Sequence, residues 1–61
     1  MHYVLTNLHT REQMILPNKK TADKIRNGHP YTPYVLEKIT KQGKFRVLAD
    51  GSLIISDYIP D

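Results

Sequence analysis

The sequence predicts a small α+β domain of order β-β-α-α-β-β, a helix-turn-helix with a wing, filling residues 1–61 as one domain. Three observations predict it. Proline and glycine at positions 17, 28, 30, 33, 43, 51 and 60 divide the chain into short segments. Two of these segments, together 19–42, carry helix caps and apolar stripes. A third, 44–56, centres on Asp50-Gly51, a strong hairpin signal.

Residues 2–16 read as a strand pair. Tyr3, Val4 and Leu5 form one extended segment and Met14, Ile15 and Leu16 the other, joined by a polar stretch without sustained periodicity. Asn18 then suits an N-cap, because its side chain can accept from a free backbone N–H two or three residues on. A helix over 19–27 follows, with Ala22 and Ile25 facing inward and Gly28 as the left-handed residue that ends it.

For the second helix, Thr32 is the expected N-cap and Pro33 the first helical residue, where its missing N–H costs nothing. Tyr31 and Leu36 are spaced as a hydrophobic staple, and Val35, Leu36 and Ile39 form the stripe. Lys41 suits the negative end of the helix dipole and Gly43 the stop.

The wing has two registers. A two-residue loop pairs Ala49 with Ser52 and divides the apolar residues between both faces. A three-residue loop, with Gly51 left-handed, pairs Leu48 with Ser52 and gathers Phe45, Val47, Leu53 and Ile55 on one face. The second separates core from solvent better, since Arg46, Ser52 and Ser56 then point out. Residues 57–61 are expected to turn back and lay Tyr58 or Ile59 on the core.

Size and composition narrow the function. A chain of 61 residues buries only about 60% of its unfolded surface, which limits its stability, and a second copy is one way to gain core. There is no cysteine, so no disulfide or thiolate zinc site, and the composition is compatible with a reducing cytoplasm. His2, His9 and His29 lack ligand spacing, so neither metal nor cofactor is expected. No apolar run reaches the ~20 residues of a membrane span, and Met-His-Tyr-Val-Leu lacks the basic and apolar regions of a signal peptide. Catalytic constellations are absent: there is no cysteine nucleophile, no glycine-rich phosphate loop and no acidic pair. The reading is a non-enzyme without a small-molecule substrate.

Charge is the most informative feature. The net charge is +3, but eight Lys and Arg between positions 19 and 46 face only Asp23 and Glu37, a local balance of +6. Arg11 stands against Glu12, Asp50, Asp57 and Asp61 in the flanks, a balance of −3. Gathered positive charge attracts polyanions. On a second helix, Tyr34, Lys38 and Lys41 share a face, which would enter a major groove. Thr32 and Tyr34 are then the candidates for base contact and Lys38, Lys41 and Lys44 for phosphates, with Arg46 on the wing and Lys19 and Lys20 as backbone contacts. The plainer reading is a solvated lysine face, with Glu37 and Lys41 as a helical ion pair and Tyr31 in the core.

The segment from Lys19 to Ile59 resembles the small winged helix-turn-helix domains of phage excisionases and MerR-type regulators. The resemblance rests on Thr21-Ala22-x-x-Ile25, Tyr31-Thr32-Pro33-Tyr34-Val35-Leu36-x-x-Ile39, Gly43-Lys44-Phe45 and Val47-x-x-Asp50-Gly51-x-Leu53-x-Ile55. Here a strand pair precedes the first helix, where those families begin with the helix. Tyr3-x-Leu5-x-Asn7-x-x-Thr10-x-Glu12 and Leu16-Pro17-x-Lys19-Lys20-x-Ala22 are similar to the modular DNA-binding repeats of homing endonucleases, with Arg11 where those repeats carry glycine. Both resemblances imply a DNA-binding protein of a phage or mobile element.

The expectation is therefore a cytoplasmic accessory or regulatory protein, of the transcription-regulator kind, that binds duplex DNA. The alternative is a protein-binding module or inhibitor, or a homodimer, using apolar wing and tail residues Leu48, Ile54, Tyr58 and Ile59.

Overall fold

The structure, a computed structural model, describes residues 1–58. It holds five strands and one helix: β1 (His2–Asn7), β2 (Gln13–Leu16), α1 (Lys19–Gly28), β3 (Tyr34–Thr40), β4 (Gly43–Val47) and β5 (Leu53–Ile55). The strands form one antiparallel sheet of order β2-β1-β3-β4-β5.

The N-terminal pair forms as expected, with Leu5 opposite Met14 and Tyr3 opposite Leu16. Its turn is organised by Asn7, whose Oδ1 accepts from the N–H groups of His9 (2.9 Å) and Thr10 (3.3 Å). Arg11 takes a left-handed φ of 66° in that turn, a conformation that glycine adopts without penalty. The first helix also forms as expected, and Asn18 Oδ1 accepts from Thr21 N–H at 2.9 Å. Gly28 is not its left-handed terminator. It is the last helical residue, and the cap is His29, whose N–H donates to the Arg26 carbonyl at 3.1 Å.

The second helix is absent, and with it the helix-turn-helix. Residues 34–40 are the central strand of the sheet. Tyr-Val-Leu-Glu-Lys-Ile-Thr opens on an aromatic residue and contains three β-branched ones, which suit a pleated surface. Its run Val35-Leu36-Glu37 is buried at every position because β3 is covered on both faces. A consecutive buried run does not reveal its own period, and it mimicked a helical stripe. Thr32 and Pro33 lie in the preceding loop, where Thr32 N–H donates to His29 O at 3.1 Å and Leu8 N–H to Pro33 O at 2.9 Å. Tyr31 is 95% exposed, so no staple forms. Gly43, with φ 137°, closes a tight turn at Lys41 and Gln42 that pairs it with Thr40.

The C-terminal hairpin adopts the three-residue-loop register. Val47 faces Leu53, Arg46 faces Ile54 and Phe45 faces Ile55, with Leu48 N–H donating to Ser52 O at 2.9 Å and Gly51 at φ 87°. It is not a free wing, because β4 also pairs with β3.

Helix α1 lies over β1 and β2. Its Ala22 joins Leu5, Leu16, Leu36 and Val47 in the core, with Tyr3, Met14, Ile25 and Tyr34 packed around them. On the far face Thr6, Val35 and Glu37 are buried. The chain returns over Glu37 after β5: Ser56 Oγ donates to its carboxylate, and Lys44 Nζ donates to Tyr58 O at 2.8 Å. Tyr58 is thus half-buried, while Ile59, Pro60 and Asp61 lie outside the described residues.

The two glycines separate the helix ending described here from a left-handed one. A Cβ would meet nothing within 4 Å at Gly28 or Gly51, but only Gly51 has a positive φ. Gly28→Ala should raise stability by about 0.5 kcal/mol and Gly51→Ala should lower it by about 1 kcal/mol, measured by urea unfolding.

Candidate nucleic-acid interface

The register shows where the lysines go. His2 opposes Ile39, and Tyr3 opposes Lys38, so β1 begins where β3 ends. β2 ends beside Tyr3, with Leu16 in register, and α1 starts three residues after Leu16. The Lys41-Gln42 turn, the end of β3, the start of β4 and the start of α1 therefore lie at one end of the sheet. That end carries Lys19, Lys20, Lys38, Lys41 and Lys44, five of the eight candidate residues. Lys38 and Leu16 are two strands apart, roughly 10 Å.

The other three candidates do not join them. Thr32 and Tyr34 belong to the opposite end, where Asn7 faces Tyr34, and Tyr34 packs on the core. Arg46 is exposed on the far face, opposite Glu37. The opposite end also holds the turns with Glu12 and Asp50. Asp50 accepts from Ser52 Oγ (2.6 Å) and Ser52 N–H (2.9 Å), and these hydrogen bonds hold its carboxyl below the usual range. Lysines thus gather at one end, and two carboxylates stand at the other.

Two acids near the basic end are already paired. Asp23 accepts from Lys19 Nζ at 2.8 Å and from Arg26, and these bonds, Lys19 first, hold its carboxyl below the ordinary value. Solvent screens such exposed helical pairs to roughly 0.3–0.5 kcal/mol each. Glu37 is 1% exposed and sits 3.5 Å from Lys44 Nζ. Asp57 is an exposed acid at the rim, just after Ser56. Among the described residues Lys20, Lys38 and Lys41 have no ion pair. Lys19 and Lys44 are committed to internal partners.

Two aromatic residues that sequence reasoning assigned only to strands join this end. Pairing across all five strands aligns Leu16, Tyr3, Lys38, Phe45 and Ile55 in one row on the helix-bearing face. Lys38 stands between two rings. Residues 34–40 carry no alternation that signals this row, which becomes visible only once that segment is read as a strand paired on both edges.

No protein-family model, curated protein or solved structure matches this chain. Among the described residues no group of His, Cys, Asp or Glu is arranged to hold a metal, and no helix is long and apolar enough to cross a membrane.

Glu37 provides a test of the electrostatics under the basic end. A buried carboxylate deprived of its cation is costly, whereas removing both partners is tolerated. Lys44→Met should cost about 1–3 kcal/mol in urea unfolding, and adding Glu37→Leu should recover part of that loss. Additive losses would mean that the two side chains do not interact.

Proposed function

We propose that this protein acts by binding nucleic acid through its basic end, as an accessory or regulatory factor, without a recognition helix. The observation that carries this reading is the convergence of Lys20, Lys38 and Lys41, unpaired among the described residues, at the end opposite Glu12 and Asp50. A charge distribution of this kind raises the local concentration of polyanions and orients the encounter. The pI of about 9.4 agrees with it. A cytoplasmic location suits the reading, as does the lack of cysteine.

A second reading, a protein partner or second copy that adds a strand, is favoured by β5. This edge strand is Leu-Ile-Ile without a charge, and Ile55 is 81% exposed. The two readings separate by salt, since strand addition depends on backbone hydrogen bonds and apolar contact and not on counterion release.

The test is fluorescence anisotropy with labelled oligonucleotides between about 50 and 200 mM salt. Three phosphate contacts on a duplex give a log–log slope of about −2.7, or roughly 40-fold weaker binding across that range. Lys38→Ala and Lys41→Ala should each flatten the slope by about one unit, while Arg46→Ala on the far face leaves it unchanged. No binding at the lowest salt, or slopes indifferent to Lys38 and Lys41, would remove this end from consideration.

A further inference from the structure

Resting on that reading, we infer that the ligand is a single strand, with unpaired bases stacked on Phe45 and Tyr3 and the phosphates held by Lys38, Lys41 and Lys20. A duplex offers a protein its phosphates and the edges of its bases, and edge reading uses a helix or ribbon that enters a groove. At the basic end the segment that carries Lys38 is neither a helix nor a projecting ribbon, since residues 34–40 lie flat in the sheet between β1 and β4, and α1 is laid over β1 and β2. What this end does have is ring surface beside cation. Phe45 is half-buried but lies outside the core cluster, on the half of the sheet beyond β1 and β2, where α1 packs. Its neighbours in the row are Lys38 and the 81% exposed Ile55. Tyr3, on the other side of Lys38, is half-buried and packs against the core cluster, so it offers a base only the part of its ring that the core leaves uncovered.

From Tyr3 to Ile55 the row crosses three strand intervals, roughly 14 Å. That length suits two or three nucleotides laid across the strands. Aromatic platforms with interleaved cations accept any base, because each base has a π-face, and they exclude paired bases, whose faces are occupied. Lys38, one strand from either ring, is placed for the phosphate between two stacked bases. Lys41 in the adjoining turn and Lys20 at the helix start extend the backbone track on either side.

The experiment measures anisotropy of a labelled oligothymidylate of about 12 nucleotides, a mixed-sequence duplex of equal length, and competition by long-chain polyphosphate. The intact chain is used, and each variant is checked by thermal unfolding. Expected are at least tenfold tighter binding of the single strand, a salt slope near −0.7 per phosphate, and poor competition by polyphosphate. Phe45→Leu should weaken single-strand binding about tenfold without changing the slope, and Phe45→Tyr, which keeps the ring, should restore it. Equal binding of single strand and duplex, full competition by polyphosphate, or indifference to Phe45→Leu would overturn the base-stacking inference and leave a polyanion site. A doubled mass by light scattering, with Phe45 covered by a second copy, would overturn it as well. Absence of salt-dependent binding to every probe would overturn the nucleic-acid reading itself.

Discussion

Everything in this molecule depends on β3 pairing along both of its edges. The N-terminal hairpin and the C-terminal hairpin do not touch as strands except through it: β1 pairs with one side of β3 and β4 with the other. Two-stranded hairpins are marginal in water, and three or more strands sharing a hydrophobic face are needed for stability. Leu36 on the helix side and Val35 with Glu37 on the far side are buried because neighbours cover β3 on both faces. The cost of that position is a buried carboxylate. Glu37 is tolerated because Lys44 and Ser56 converge on it, which also draws the chain after β5 across the sheet. Tyr58 OH, buried without a hydrogen-bond partner among the described residues, is the unrelieved part of the same arrangement.

The same topology arranges the charge. Antiparallel pairing brings the end of β3 to the beginning of β1, and the short link from β2 to α1 brings the helix start to the same place. Lysines separated by more than twenty positions in the chain therefore share one end. Turn residues supply the contrast at the other end, where Asp50 and Glu12 serve loops. The cations occupy turn, helix-start and strand-end positions that the core does not use.

Much of the fold was legible locally. Asn18 announced α1, Asp50-Gly51 announced the last hairpin, the apolar pattern beside it favoured the observed one of two registers, and two apolar runs around a polar stretch announced the first. Each of these elements is closed by contacts near in sequence. Strand β3 was not legible, because its partner β1 lies some thirty residues upstream and its buried run carries no period. Thr32-Pro33 looked like a helix start, and Lys41-Gln42 lacks the glycine or asparagine that usually marks a two-residue hairpin. Lys38 and Lys41 are candidates by their charge and share one end, whereas Thr32 and Tyr34 are candidates only as positions on a helix and lie at the far end. Tyr3 and Phe45 carry no local signal, since their alignment with Lys38 exists only across three strands.

The most direct measurement is a proton NMR spectrum that resolves contacts of residues 34–40. Cross-strand contacts are expected from Lys38 to both Tyr3 and Phe45, and from Glu37 to both Val4 and Arg46. Contacts between residues three and four apart within that segment, in place of the cross-strand set, would restore a helix there and contradict the sheet, the grouping of lysines and the site built on it.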